Sequence, residues 1–314
     1  MARAKVFIDG GAGTTGLKVR ERLATRDDLE LIVLDDALRH DTAARAEAMN
    51  ASDVTFLCLP DATAMEAVKL CTGKKTVIID TSTAHRCAEG WTYGFAEIGG
   101  LGKRIAKSKR IANPGCHASG FIALVAPLVE KGIIKDSLRL CCHSLTGYSG
   151  GGKKMIADYA ENKDDLLHWG GRQYALGQSH KHLPEMVKYC GLKHAPAFSP
   201  IVVPHYSGME VTVPLFAKDA KGGIEAVKDC YRSYYRGTGM VKFVDDSQDG
   251  GFLSSAALSG RDDMEISVYG NKERLMLVAL FDNLGKGASG AAIQNMNLAL
   301  GLDAKTGLKG AKQC

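Results

Sequence analysis

The sequence predicts an α/β protein in two parts, a doubly wound parallel-sheet domain followed by an α+β domain, and three observations carry that reading. Short apolar runs alternate with helix-compatible stretches through the first third of the chain. A glycine-rich loop joins the first run to the first helical stretch, and beyond about Ile133 the alternation gives way to longer strands and a hairpin.

Taken in order, residues 6–8, 29–34, 54–59 and 77–79 are short and apolar, as strands buried on both faces are. Between them, Gly16, Val19 and Leu23 recur at helical spacing, and 42–51 and 62–70 are rich in helix formers. Each strand ends in polar, Gly or Pro punctuation, at Gly10, Asp35, Pro60 and Asp80-Thr81-Ser82. Ligands of doubly wound sheets bind beyond the carboxyl ends of the strands, so these four loops are expected to share one site. In the second part a strand is expected over 137–145, and 264–269 pairs with 274–281 through Gly270-Asn271. The domains on this reading are 1–115, with a last helix at about 287–302 packed back on it, 116–286, and a tail at 303–314 that is expected to fray from Lys305.

Composition narrows the function. The 314 residues, 45% of them hydrophobic, suffice for an enzyme-sized pair of cores. A net charge of +5, without a block of like charge, argues against a nucleic-acid partner and suits a small anionic substrate. No apolar run reaches membrane-spanning length, and the first strand follows Met1 too closely for a signal peptide. Nine cysteines, an odd number without a C-x-x-C pair, fit reduced thiols in the cytoplasm better than disulfides or a zinc knuckle.

The first glycine loop, Gly10-Gly11-Ala12-Gly13-Thr14-Thr15-Gly16, sits between strand and helix, where backbone N–H groups and the helix N-terminus can hold a dinucleotide pyrophosphate. A plain tight turn is the alternative. Asp35 and Asp36 would favour a ribose hydroxyl, as in NAD, whereas Arg39 and His40 would favour a 2′-phosphate, as in NADP; spacing alone leaves both open. Cys116, in Asn113-Pro114-Gly115-Cys116-His117-Ala118, follows a turn and opens an apolar helical stretch. A sulfur at a helix N-terminus is favoured as the thiolate, the form that attacks carbonyls.

His180-Lys181-His182-Leu183-Pro184-Glu185 offers that thiol a base. The two histidines would point the same way on an extended segment, and Glu185 would follow Pro184 into a helix and orient an imidazole. A metal site using both histidines and Glu185, or a plain surface cluster, are the competing readings. The second glycine loop, 147–154, carries Ser149, Gly150 and Lys153, whose backbone and charge suit a phosphate. Arg86 is placed to fork onto a carboxylate or phosphate, or else lies on the surface. His143, His168, His194 and His205 stand isolated in the sequence.

Together these runs, with Phe56-Leu57-Cys58-Leu59-Pro60-Asp61, Asp80 to Arg86, Pro204-His205-Tyr206-Ser207-Gly208-Met209 and Asp282-Asn283-Leu284-Gly285-Lys286-Gly287-Ala288-Ser289-Gly290, resemble the N-acetyl-gamma-glutamyl-phosphate reductase family of arginine biosynthesis in its shorter form, related to aspartate-semialdehyde dehydrogenases. The resemblance spans essentially the whole chain. It implies a Rossmann-type domain binding NADP, an α+β catalytic and oligomerisation domain, a homodimer or homotetramer, and release of phosphate from N-acetylglutamyl phosphate. It implies Cys116 as nucleophile, His182 as acid/base supported by His180, and Arg86, Lys153 and Glu185 toward substrate. Gly10, Gly13, Thr14, Thr15, Gly16, Arg39, Ser82, Ser149, Gly150 and Asn283 would face the cofactor, with no metal required. The chain departs from the family in placing His117 where tyrosine is common and in the triple glycine 150–152. Aspartate-semialdehyde dehydrogenase, a non-catalytic dinucleotide-binding protein and a metal-dependent hydrolase are the competing functions.

Overall fold

The structure, a computed structural model, describes residues 3–11 and 13–310, so Ala12 of the first glycine loop and 311–314 of the tail lie outside the described residues. The chain divides into two compact units, one of Met1–Pro114 with Ala288–Leu308, the other of Gly115–Gly287 with Lys309–Cys314.

The first unit runs β1 (Ala4–Asp9), α1 (Thr14–Leu23), β2 (Leu29–Ile32), α2 (Thr42–Ala51), β3 (Val54–Leu57), α3 (Asp61–Leu70), β4 (Val77–Asp80), β5 (Thr92–Tyr93), α4 (Leu101–Ile105) and β6 (Arg110–Ala112). Its six strands pair in parallel in the order β2-β1-β3-β4-β6-β5, so the doubly wound expectation is met. Every residue of β3 and β4 is buried, because helices cover the sheet on both sides. Phe7, Leu57 and Ile78 point to one side, against Ala48 and Met49 of α2 and Ala67 of α3.

The last helix of the chain, which follows the second unit and is numbered α10 (Gly290–Ala299), belongs to this first unit and packs against α1, α4 and β4. Its buried polar side chains are satisfied: Asn295 Nδ2 donates to Gly94 O and to Asn113 Oδ1, both at 3.0 Å, and Gln294 Nε2 to Glu97 Oε1 at 2.8 Å. The expected fraying from Lys305 is not observed as far as Lys309. Arg26 Nη1 and Asn297 Nδ2 both donate to Thr306 O, and Lys309 N donates to Asp262 Oδ2 at 2.7 Å. Fixed carboxylate and amide partners hold this segment where composition alone suggested none.

The second unit contains α5 (Cys116–Glu130), β7 (Cys141–Gly147), α6 (Gly152–Glu161), α7 (Leu166–Trp169), β8 (Arg172–Gln173), α8 (Leu183–Cys190), β9 (Ala197–Val203), β10 (Met209–Phe216), α9 (Gly223–Tyr234), β11 (Val241–Phe243), β12 (Met264–Gly270) and β13 (Arg274–Phe281). They build a seven-stranded mixed sheet in the order β11-β12-β13-β10-β7-β9-β8. The strand expected over 137–145 starts only at Cys141, because Leu138 N turns back onto Lys135 O. The hairpin β12–β13 turns where Gly270 takes φ 132°, and Asn271 Oδ1 accepts from the N–H groups of Glu273 and Arg274.

Helix α5 is the core of this unit, packed on β10, β13, α8 and α9. Pro127 inside it lacks the N–H that would meet Ala123 O, and the Tyr235 hydroxyl donates to that oxygen instead, at 2.7 Å. Gly120 is where the helix meets the sheet: a Cβ there would fall 2.4 Å from Val211 Cγ2 and 2.9 Å from Phe281 Cε1. Gly120→Ala is therefore expected to lower unfolding stability by roughly 1–3 kcal/mol through overpacking, read as a lower urea midpoint. An unchanged midpoint would show that the sheet yields freely at this contact.

Candidate active site

In the first unit, the loop after β1 is built for close approach. Gly10 has φ 83°, and a Cβ there would lie 2.4 Å from the Cys58 carbonyl oxygen; one on Gly16 would lie 2.5 Å from Gly10 O. Gly13 N donates back to Gly10 O at 3.0 Å, and Thr14 and Thr15 open α1, whose N-cap Gly13 makes no side-chain cap bond. The side-chain-free cradle against an uncapped helix start fits a pyrophosphate. Past β2, Arg39 and Asp36 are both exposed, with Nη1 and Oδ1 4.0 Å apart.

Beyond β4, buried Asp80 accepts from Ser82 N–H at 2.9 Å and from Ser82 Oγ at 2.8 Å, and its other contact is His85 Nδ1 at 2.6 Å. His85 in turn stacks on Trp91 with ring centroids 4.1 Å apart. Arg86 is not a surface residue: only 7% of it is exposed. Its Nε donates to Asn113 O at 2.9 Å and Nη2 to Thr81 O at 3.3 Å, so the guanidinium braces the ends of β4 and β6.

In the second unit, Cys116 is the first residue of α5 and half-buried, preceded by N-cap Gly115 without a side-chain cap bond. Gly287 comes against it closely enough that a Cβ there would sit 2.9 Å from Cys116 Cβ. Elsewhere in the chain, burial pushes Cys58 up to about 12 and Cys230 up to about 11, and raises Cys142 and Cys190 as well. Those thiols stay protonated and inert.

The histidine segment is a turn rather than an extended run. His182 is the N-cap of α8 in αR conformation, and its N–H donates to His180 Nδ1 at 3.1 Å. The two rings meet edge to face, centroids 4.6 Å apart. Glu185, expected to touch substrate, is instead 99% buried; Oε2 accepts from Gly115 N–H at 3.1 Å, and Oε1 lies 4.0 Å from His182 Nε2. The carboxylate thus ties the turn before Cys116 to the histidine segment. Among the described residues no three His, Cys, Asp or Glu side chains gather as metal ligands.

The second glycine loop starts a helix. Ser149 Oγ accepts from Asn283 Nδ2 at 3.0 Å, Asn283 Oδ1 accepts from Gly208 N–H at 2.9 Å, and a Cβ on Gly150 would lie 3.5 Å from Asn283 Nδ2. Ser149, Gly150 and Asn283 are therefore one cluster, with Lys153 exposed in the first turn of α6.

Ser144 and Tyr174 carry no signal of the histidine cluster in the sequence, and His117 carries only a weak one. His117 is buried, with Nδ1 2.7 Å from Ser144 Oγ and Nε2 2.7 Å from Tyr174 Oη. Its ring lies 5.5 Å from His180 and 5.6 Å from His182, centroid to centroid. Only β7 hinted at this: Cys142, Ser144 and Thr146 are its buried alternate positions, and buried hydroxyls need partners. Nor are His168 and His205 isolated, since His168 meets Asp165 and Asp158 and His205 meets Ser255.

This arrangement of a parallel-sheet dinucleotide cradle and a thiol-and-histidine unit is that of a two-domain semialdehyde dehydrogenase. Models of that family match here, its NAD binding domain over residues 35–100 and its dimerisation domain over 116–283. Aspartate semialdehyde dehydrogenase II from Vibrio cholerae superposes with a TM-score of 0.73 at 16% identity, covering 96% of this chain and 99% of that one. The Candida albicans enzyme solved with NADP gives 0.67 at 16%, covering 94% and 99%. In sequence, N-acetyl-gamma-glutamyl-phosphate reductase 2 of Nostoc sp. is 41% identical over 98% of this chain and all of its own length. The reductase of Allorhizobium ampelinum is 44% identical over 95% of this chain and 99% of its own. The chain belongs to the N-acetyl-gamma-glutamyl-phosphate reductase branch of the semialdehyde dehydrogenase family.

Burial, reinforced by His180, lowers His117 from the ordinary 6.5 to about 3. Protonation below pH 6.5 thus favours the unfolded chain. The stability His117 contributes as a neutral ring is complete above 6.5 and is lost as pH falls toward about 3, by at most ~1.4 kcal/mol per pH unit. Urea midpoints between pH 6.5 and 4 are expected to fall with acidity, and His117→Phe to flatten that slope. Equal slopes in both proteins would place the proton elsewhere.

Proposed function

We propose that the protein reduces N-acetyl-L-glutamyl 5-phosphate to N-acetyl-L-glutamate 5-semialdehyde with NADPH, releasing phosphate, by way of a thioester on Cys116. The observation that carries this is the half-buried thiol at the uncapped start of α5, in a chain that matches reductases over nearly their whole length. The Cys116 sulfur attacks the acyl carbon, the C–S bond forms, and the C–O bond to phosphate breaks with its electron pair leaving on phosphate. When bound, the dinucleotide supplies the hydride that takes the acyl group to the aldehyde level.

His182 takes the thiol proton before attack and returns one to the oxygen that gains charge, with His180 fixing the turn through its bond to His182 N–H. Glu185 acts by holding the Gly115 turn rather than by touching substrate. Gly10, Gly13, Thr14, Thr15 and Gly16 hold the pyrophosphate, Ser82 and the Ser149, Gly150 and Asn283 cluster face the nicotinamide half, and Arg39 meets the 2′-phosphate. Arg86 and Lys153 receive the substrate anions. The protein acts in the cytoplasm as a homodimer or homotetramer assembled through its second unit, the part matched by the dimerisation-domain model.

Aspartate-semialdehyde dehydrogenase is the nearest competing activity, since the solved neighbours carry that name, but at 14–17% identity they share the fold alone. Phosphate-dependent NADP reduction is expected with N-acetylglutamate 5-semialdehyde; activity with aspartate semialdehyde alone would overturn the substrate. Cys116→Ser is expected to lose roughly a thousandfold or more in kcat, and a wild type no faster than this variant would mark a non-catalytic dinucleotide binder. Arg39→Ala is expected to raise KM for NADPH by about 10–100-fold, the worth of a charge-assisted bond, and to leave KM for NADH within about twofold.

A further inference from the structure

His117 lies next to the nucleophile in sequence but faces away from solvent, between Ser144 of β7 and Tyr174 beyond β8, and nothing in the reaction described above uses it. Its two contacts are equal in length, 2.7 Å each. A neutral imidazole carries one N–H, so one ring nitrogen donates and the other accepts. The buried Ser144 hydroxyl decides which. Among the described residues His117 is its one hydrogen-bond partner, so if Nδ1 carried the hydrogen, the serine's own proton would be buried without an acceptor. Ser144 therefore donates to Nδ1, and Nε2–H donates to Tyr174 Oη. The tyrosine oxygen is then an acceptor within the protein, and its own proton is directed to some other oxygen.

We propose that His117 is a positioning residue: through the one-way chain Ser144 to His117 to Tyr174, it presents the Tyr174 hydroxyl as a hydrogen-bond donor to the carbonyl oxygen of the group attacked by Cys116. This rests on the thioester reading above. Tyr174 stands beside the catalytic histidines, its ring centroid 5.7 Å from that of His180. Burial and the nearby Cys116 sulfur both raise its phenol, which stays protonated and able to donate. As sulfur adds, the C=O electron pair moves onto oxygen, where a fixed donor lowers the barrier. Collapse of that oxyanion expels phosphate. The neutral state of His117 is required, because an imidazolium would donate from both nitrogens and leave Ser144 without its acceptor.

The test uses acylation alone, which needs no dinucleotide: the burst of phosphate released when enzyme meets N-acetylglutamyl phosphate. His117→Phe and Tyr174→Phe are each expected to slow the burst by roughly 10–100-fold, and the double variant to be no slower than Tyr174→Phe, since both remove one donor. Ser144→Ala, which frees the ring to adopt either tautomer, is expected to cost about 3–10-fold, and His117→Gln, whose amide both accepts and donates, to recover to within about fivefold of wild type. Alkylation of Cys116 by iodoacetamide, which forms no oxyanion, should stay within about threefold in all five variants. Multiplicative losses in the double variant, an unslowed His117→Phe, or alkylation falling in parallel with the burst would overturn the proposal. Absence of any burst in wild type, or a full burst in Cys116→Ser, would instead overturn the thioester reading itself.

Discussion

Burial of α5 determines where the reactive sulfur can be. All twelve residues from His117 to Leu128 are buried, including Phe121, Ile122, Leu124, Val125 and Leu128, each worth about 1.5–3 kcal/mol when removed from water. A helix held that tightly cannot slide or rotate without exposing several such side chains, so its first residue has one position. Gly120 lets the helix approach β10 and β13, and the hydroxyls of Tyr231 and Tyr235 meet the carbonyls of Leu124 and Ala123 around Pro127. What chemistry adds at Cys116 is local: a helix start without a side-chain cap, a Gly287 with no Cβ to crowd the Cys116 Cβ, and a carboxylate fixing the preceding N–H.

The same region handles protons through position more than through charge. His117 is kept neutral by burial, Glu185 is engaged by Gly115, and His180 and His182 hold one another through a backbone bond and an edge-to-face contact. In the first unit Asp80 plays an equivalent part, taking Ser82 and His85 at the strand end where ligands of such sheets bind. Asp282 does so in the second, accepting from Ser207 Oγ at 3.0 Å and from Leu284 N–H at 2.6 Å, and thereby shaping the turn that carries Asn283. In each case a carboxylate or ring at low exposure sets loop geometry, and more flexible residues act from it.

The features legible in the sequence were those with a local cause. Gly10 and Gly16 are glycines because backbone oxygens lie where their side chains would be, and Gly270-Asn271 turns because of its own φ and the Asn271 side chain. Cys116 after Pro114-Gly115 is legible for the same reason, since a helix start is local. The features that were not legible depend on residues far apart in the chain. Ser144, Tyr174 and His117 meet only after β7, β8 and α5 assemble, and Glu185 reads as a substrate ligand until Gly115 lies beside it. The tail from Lys305 carries no local signal for order because its partners, Arg26, Asn297 and Asp262, are remote in sequence.

The whole reaction turns on the acyl group passing onto Cys116. Intact-protein mass measured after rapid acid quench of enzyme mixed with N-acetylglutamyl phosphate, with no dinucleotide present, tests it most directly. A single N-acetylglutamyl adduct is expected, discharged by hydroxylamine and mapped to the peptide containing Cys116. An unmodified protein that nonetheless turns over when the dinucleotide is added, or an adduct on any other residue, would contradict it.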